Sequence, residues 1–161
     1  MRMFETIIWA TDGSSSADAA LPFATALAVA EHGKLVAVFV DEHFVGRGSP
    51  YPVLADADEL KAKIHRQVEE ARKEGVDASL AIVPGLAHGT AHLIADKARE
   101  LGADAIVAGT RGHGPVVGLL VGSVTQRLLH IAACPVLVIR RTRQPLPQLP
   151  PEPRAYHELA T

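Results

Sequence analysis

The fold of this chain is decided by residues 105–132, which read AIVAGTRGHGPVVGLLVGSVTQRLLHIA. The apolar run at 105–108 predicts a strand that is buried on both faces, and residues 123–132 have the apolar spacing of a helix. The connection between them contains Gly109, Gly112, Gly114, Gly118 and Gly122. A strand, a glycine loop and a helix N-terminus in this order present backbone N–H groups and the positive end of a helix dipole to one point. This stretch therefore predicts an anion-binding loop.

Outward from this loop, short β-branched apolar runs alternate with longer segments of helical periodicity. The predicted strands are residues 6–10, 35–40, 78–83, 103–108 and 135–139. The predicted helices are residues 17–31, 55–74, 88–101 and 123–132, and Pro22 marks a late start or a kink in the first of them. Such alternation is typical of βαβ units. We expect an α/β fold with a five-stranded parallel doubly wound sheet, strand order 3-2-1-4-5, and helices on both faces.

Two further segments differ in composition from these predicted elements. Residues 41–54 contain glycine and proline and form a predicted loop that is long enough to act as a lid. After Arg141, five prolines follow with little apolar sequence between them. We therefore expect one domain at residues 1–141 and a disordered, proline-rich tail at residues 142–161. Within the tail, Tyr156 and Leu159 are best suited to anchor a protein partner.

Composition limits the classes of protein to which the chain can belong. Its 161 residues, 48% apolar and 21% charged, are typical of a single soluble domain. The sequence has no run of eighteen apolar residues and its N-terminus lacks the layout of a signal peptide, so we expect a cytoplasmic protein without a membrane partner. The net charge of −2 argues against a nucleic-acid partner. Cys134 is the only cysteine, which excludes an internal disulfide and a cysteine-cluster metal site.

The predicted strand order brings two distant polar segments together. In a doubly wound sheet, ligands bind at the carboxyl ends of the strands where the winding reverses, here between the first and fourth strands. Ala10-Thr11-Asp12 follows the first of these strands, and Gly109-Thr110-Arg111-Gly112 follows the other. Phe39-Val40-Asp41, at the end of the second strand, would form a third wall. The sequence thus predicts one binding site at these three strand ends.

The spacing Gly109-x2-Gly112-x9-Gly122-Ser123 resembles that of the ATP-binding members of the universal stress protein family. The resemblance extends to Ala10-Thr11-Asp12-Gly13-Ser14, to Phe39-Val40-Asp41 and to residues 122–140, and so covers nearly the whole predicted core. It implies a cytoplasmic nucleotide-binding domain that holds ATP, with Mg²⁺, and acts as a nucleotide-responsive module in the stress response. It also implies a homodimer through the fifth strand, and an exposed apolar edge at residues 135–139 independently favours such pairing.

The glycine pattern, the strand ends and the resemblance together indicate one set of nucleotide-binding residues: Ala10, Thr11, Asp12, Phe39, Gly109, Thr110, Arg111, Gly112, His113, Gly114, Pro115, Gly122, Ser123, Val124 and Thr125. Gly112 and Gly114 permit positive φ and let backbone N–H groups approach phosphate oxygens. Arg111 is suited to forked contact with phosphate. Ser123 and Thr125 can offer hydroxyl and backbone donors to the β- and γ-phosphates, although Ser123 also suits a helix N-cap.

Three of these residues have competing roles. By the resemblance, Asp12 would accept a hydrogen bond from a ribose hydroxyl or reach a phosphate-bound Mg²⁺ through water, whereas its alternative role is to cap the first helix. The resemblance also implies that Phe39 pairs with adenine through its main chain, while its side chain is expected in the core. His113 would either donate one hydrogen bond to phosphate or face solvent.

Other phosphate and catalytic motifs are not matched. The loop is not a Walker A sequence because no lysine precedes Ser123, and it is not a dinucleotide fingerprint because one residue too many precedes its third glycine. His88 and His92 have helical spacing, yet no HExxH pattern accompanies them, and no catalytic residue is assigned. Two alternatives to the regulatory module stay open. They are a slow ATPase or autophosphorylating enzyme that uses Ser123 or Thr125, and an interaction protein that is independent of nucleotide.

Overall fold

The computed structural model describes residues 3–42, 53–85, 89–111 and 121–140. Within them the strands are β1 (Thr6–Ala10), β2 (Lys34–Glu42), β3 (Asp77–Gly85), β4 (Ala105–Gly109) and β5 (Val136–Ile139). The helices are α1 (Ser15–Glu31), α2 (Val53–Lys73), α3 (Thr90–Glu100) and α4 (Ser123–Ile131). In the part of the chain covered by these ranges, no helix is both long and apolar enough to cross a bilayer.

The five strands form one sheet in the order β3-β2-β1-β4-β5, and every neighbouring pair is parallel. The predicted doubly wound α/β fold and its strand order are therefore confirmed. The apolar strand sequences explain the central position of β1 and β4, because both are buried along their whole length. Parallel strands covered by helices on both faces require such continuous apolar runs.

Several predicted boundaries differ from those observed. Helix α1 begins at Ser15, so Pro22 lies inside it and does not mark a late start. Strand β2 continues to Glu42 and α2 begins at Val53, which shortens the predicted loop at 41–54. Helix α3 begins at Thr90 and β4 at Ala105, each two residues later than predicted. Residues 43–52 and the tail from 141 onward, with Tyr156 and Leu159, lie outside the described residues.

The core consists of two apolar clusters, one on each face of the sheet. Ile7 and Trp9 of β1 belong to the cluster under α1 and α2, whereas Ile8 of the same strand belongs to the cluster under α3 and α4. This alternation follows from the two-residue period of a strand. The Trp9 ring is completely buried, and its Nε1 donates a hydrogen bond of 2.9 Å to the carbonyl of Ala17. Trp9 thereby sets the position of the first turn of α1 on the sheet.

Asp104 aligns β1 and β4 at their N-terminal ends. Its carboxylate Oδ2 accepts hydrogen bonds from the backbone N–H groups of Glu5 and Thr6, at 2.8 and 2.9 Å. The Asp104 N–H in turn donates to the Thr6 carbonyl at 2.8 Å. These bonds align the two strands so that Ala10 lies opposite Ala108 near their C-terminal ends. The chain segments that leave β1 and β4 therefore emerge side by side.

Candidate functional site

The carboxyl ends of β2, β1 and β4 lie next to one another, as the sequence predicted. Ala10 pairs with Val38 on one side and with Ala108 on the other. Beyond the strand, the Thr11 N–H donates to the Val38 carbonyl at 3.1 Å, which extends the pairing by one residue. The sheet therefore brings the segment that begins at Thr11 beside the segment that begins at Gly109, in the region where a doubly wound fold binds its ligands.

Most of the predicted binding residues are within the described part of the chain. Ala10, Thr11, Phe39, Gly109 and Thr125 are buried, and Arg111 and Ser123 are exposed. Asp12, Thr110, Gly122 and Val124 are intermediate in exposure. Gly112, His113, Gly114 and Pro115 lie outside the described residues. The Phe39 side chain packs in the core under α1 and α2, as expected, so only its backbone is placed to meet a ligand.

The turn after β1 is held by side chains of its own residues. Gly13 adopts φ +76°, which favours glycine, and its N–H donates to the Thr11 hydroxyl at 3.1 Å. The Ser14 N–H donates to Asp12 Oδ1 at 2.9 Å, and the Ser14 hydroxyl oxygen accepts from the Ala17 N–H at 3.2 Å. The N-cap of α1 is therefore Ser14, and the alternative assignment of Asp12 to that role is wrong. The Asp12 carboxylate shapes the turn that precedes the helix.

The first turn of α1 is attached to the segment that follows β4. The Arg111 N–H donates to Ser16 Oγ at 3.0 Å, and the Ser14 hydroxyl approaches the Arg111 carbonyl at 3.4 Å. Gly109 is required here because a Cβ at this position would lie 2.6 Å from Ser16 Oγ and closer still to the Ser16 carbonyl. Ser14 and Ser16 are thus site residues that the prediction omitted. The run of three serines after Asp12-Gly13 predicted helix capping, and the family resemblance included Ser14 in the motif at the first strand end without giving it a role.

The start of α4 is attached to the end of β4. The Thr125 hydroxyl is buried and donates to the Gly109 carbonyl at 2.8 Å, while the Gly122 N–H donates to the Thr110 carbonyl at 2.5 Å. The two ends of the glycine loop therefore meet at its base. Gly122 is the N-cap of α4, so the alternative role of Ser123 as N-cap is wrong. The Thr125 hydroxyl is thus bonded inside the protein, whereas Ser123 is exposed to solvent.

A helix that begins at glycine has no side chain to cap its first turn. In α4 the N-cap makes no side-chain hydrogen bond, in contrast to the Ser14 cap of α1. The first N–H groups of a helix have no partner inside the helix, and their partial positive charge favours an anion. The start of α4, at the base of the glycine loop, is therefore suited to bind phosphate.

Asp41, at the end of β2, forms an ion pair with Lys61 of α2. The distance from Lys61 Nζ to Asp41 Oδ2 is 2.5 Å, and the Asp41 side chain is largely buried. The hydrogen bond from Lys61 to Asp41 raises the pKa of the lysine, because it favours the charged ammonium. The third predicted wall of the site thus carries a carboxylate whose charge is balanced by α2.

A metal site and a reactive thiol each place their own requirements on the described residues. Among the described ranges, no three His, Cys, Asp or Glu side chains are placed to hold a metal ion. His92 is exposed on α3, and His88 lies outside the described residues. Partial burial raises the pKa of the Cys134 thiol, which reduces the fraction of reactive thiolate at neutral pH. What the described residues support is the binding of an anionic ligand.

A family model described as the universal stress protein family matches residues 3–140. The chain is 34% identical over 146 residues to the Thermus aquaticus universal stress protein in the QAH/OAS sulfhydrylase 3′ region, covering 86% of this chain and 100% of that protein. Among solved structures, a universal stress protein family member from Burkholderia pseudomallei is 34% identical with a TM-score of 0.64, covering 86% of this chain and 98% of the other.

More distant solved structures share the fold and contain adenine nucleotides. A universal stress protein in complex with cAMP is 23% identical with a TM-score of 0.63, covering 84% of this chain and 97% of the other. The universal stress protein of Archaeoglobus fulgidus in complex with dAMP is 24% identical with a TM-score of 0.61, covering 86% of this chain and 98% of the other. At these identities the likeness shows a common fold.

Proposed function

The chain belongs to the universal stress protein family, and from this premise we propose that it binds ATP at the carboxyl ends of β1 and β4. In this proposal it is a cytoplasmic regulatory module of the stress response whose conformation or partners depend on the bound nucleotide. The observation that carries the proposal is the convergence of the Asp12 turn, the Gly109 strand end and the uncapped start of α4.

The phosphate end of the ligand would lie against α4. The hydrogen bond between Gly122 and Thr110 brings the two ends of the glycine loop together beside the N-terminus of α4. Backbone N–H groups of the loop and of the first helical turn would donate to phosphate oxygens, and the exposed Ser123 hydroxyl would add a donor. Arg111, also exposed, would supply the positive side chain.

The nucleoside end would lie against β1 and β2. We assign to the Asp12 carboxylate, which shapes the turn at the end of β1 through the Ser14 N–H, a contact with the ribose hydroxyl or with a water on phosphate-bound Mg²⁺. The backbone of Phe39 would meet the adenine edge, since its side chain is in the core. The relatives in complex with cAMP and dAMP support an adenine nucleotide as the ligand class.

The test is to denature the purified protein, identify any released nucleotide, and titrate the nucleotide-free protein by calorimetry with ATP and Mg²⁺, and with AMP. We expect saturable binding of ATP and weaker binding of AMP, because AMP lacks the phosphates that the loop and α4 would hold. Absence of binding by any adenine nucleotide would overturn the proposal. Release of inorganic phosphate, or labelling of Ser123 by ATP, would instead favour a slow ATPase or autophosphorylating enzyme. Cellular effects that persist without nucleotide binding would favour an interaction protein.

We further propose that β5 pairs with its copy in a homodimer. The strand is at the edge of the sheet and its four apolar residues are all partly exposed. The Pro135 carbonyl accepts a hydrogen bond from Ile106 of β4, and the Ile139 carbonyl accepts one from Thr110, directly after β4. By the alternation of a parallel strand, the backbone groups of Val136 and Val138 therefore face the open edge. An apolar edge of this kind is protected by pairing.

Val138→Pro tests this dimer. The substitution removes an N–H that faces away from β4, so we expect the fold to persist while the backbone pairing between copies is lost. Analytical ultracentrifugation should give twice the chain mass for the wild type and the chain mass for the variant, with unchanged far-UV circular dichroism. A monomeric wild type, or a variant that stays dimeric, would contradict pairing through β5.

A further inference from the structure

One face of α2 contacts the turn after β1. Lys63 Nζ donates to the Gly13 carbonyl at 2.7 Å and to Asp18 Oδ2 at 2.6 Å. Gln67 Nε2 donates to the other Asp18 oxygen at 3.0 Å. Leu60 packs so closely on Gly13 that a Cβ there would lie 2.5 Å from its Cδ2. Because these α2 residues are spaced by three and four, they share one helix face.

The ion pair in this contact is partly withdrawn from water. The Lys63 and Asp18 side chains are 35% and 31% exposed, and both Asp18 oxygens accept hydrogen bonds from α2. Asp18 also lies in the first turn of α1, where the helix dipole favours a carboxylate. A pair with this geometry constrains its partners more than the flexible ion pairs of an open surface do.

The constrained element is the turn that carries Asp12. Gly13 is bonded on both sides, through its N–H to the Thr11 hydroxyl and through its carbonyl to Lys63. Asp12 lies between Thr11 and Gly13, and its Oδ1 accepts from the Ser14 N–H. Without Lys63, the Gly13 carbonyl would be released to rotate, and the Asp12 carboxylate would move with the turn.

We infer that Lys63 is a positioning residue for the nucleotide site, acting through Gly13 on Asp12, and that α2 responds to occupancy of that site. The inference rests on the proposed function. The same helix also holds the end of β2 through Lys61 and Asp41, so it contacts two of the three strand ends around the site. If the contact between α2 and the turn favours ligand binding, then ligand binding must favour that contact to the same extent, because coupling is reciprocal. A ligand that orders the Asp12 turn therefore stabilises the contact with α2.

The test compares Lys63→Met, which keeps an unbranched apolar chain without the charge, with Lys63→Arg and with Lys73→Met. Lys73 is exposed at the far end of the same helix and serves as the matched control. We expect Lys63→Met to raise the Kd for ATP about tenfold, as loss of a charged hydrogen bond does. Lys63→Arg should restore much of the affinity, and Lys73→Met should leave it unchanged. In an Asp12→Ala background, the Lys63→Met effect should largely disappear, because both changes act on one contact.

Hydrogen exchange provides a readout that does not depend on affinity. In the protein without ligand, Lys63→Met should speed exchange at the Gly13 and Ser14 amides, and in the wild type ATP should slow exchange in residues 60–67. If the wild type binds ATP and Lys63→Met binds it equally well, the inference fails while the proposed function stands. If the wild type binds no adenine nucleotide, the proposed function fails. In that case the positioning role at a nucleotide site fails with it, and faster exchange at Gly13 in Lys63→Met would show only that Lys63 holds the turn.

Discussion

A Gly109→Ala variant is expected to lose about 3 kcal/mol of unfolding free energy and its nucleotide binding. The new Cβ would lie 2.6 Å from Ser16 Oγ and closer still to the Ser16 carbonyl, which belongs to the backbone of α1. The helix cannot shift easily, because the Trp9 indole donates to the Ala17 carbonyl at 2.9 Å. Relief of the collision would separate α1 from β4 and break the Arg111–Ser16 hydrogen bond that shapes the site.

Urea denaturation followed by tryptophan fluorescence measures this loss, since Trp9 is the only tryptophan and is completely buried. Gly102→Ala is the matched control. No atom lies within 4 Å of a Cβ at Gly102, but its φ of +61° makes alanine strained. That strain alone should cost about 1 kcal/mol and leave nucleotide binding intact. A Gly109→Ala protein no less stable than Gly102→Ala would show that α1 and β4 do not pack as described.

An Asp12→Ala variant is expected to weaken ATP binding roughly thirtyfold, about 2 kcal/mol, with a small effect on stability. Alanine removes the acceptor for the Ser14 N–H, which lies 2.9 Å from Asp12 Oδ1, and it removes the proposed ligand of the ribose or of Mg²⁺-bound water. The cap of α1 is unaffected because it is Ser14. Both the turn geometry and the ligand contact are therefore lost while the helix remains.

Asp12→Asn separates these two contributions. Asparagine keeps an oxygen for the Ser14 N–H but loses the charge, so its affinity should fall less, and the remaining loss should depend on Mg²⁺ if the carboxylate faces the metal hydration shell. Asp77→Ala, at the exposed start of β3, is the control for removal of a carboxylate elsewhere. Calorimetry with ATP, with and without Mg²⁺, measures the affinity of all three variants. Binding by Asp12→Ala within twofold of the wild type would remove Asp12 from the site.

Prediction of the fold succeeded because its determinants are local. The run at 105–108 is apolar at every position, as a strand covered on both faces requires, and β4 is buried throughout. The apolar spacing of residues 123–132 likewise predicted the start of α4 correctly at Ser123. Capping was predicted less well at both helices of the site. Asp12 and Ser14 are both good N-cap residue types, and which of them caps depends on where the turn leaves the sheet.

The α/β class and the succession of elements could be predicted from the sequence, because periodicity acts over a few neighbouring residues. The side-chain contacts that hold the site together became visible in the three-dimensional structure alone. Ser16 and Arg111 are 95 positions apart, and Lys63 and Gly13 are 50 apart, yet both pairs are hydrogen-bonded. No local pattern relates such residues. Ser16 and Arg111 meet because the sheet aligns the ends of β1 and β4, and Lys63 meets Gly13 because α2 packs against the turn between β1 and α1.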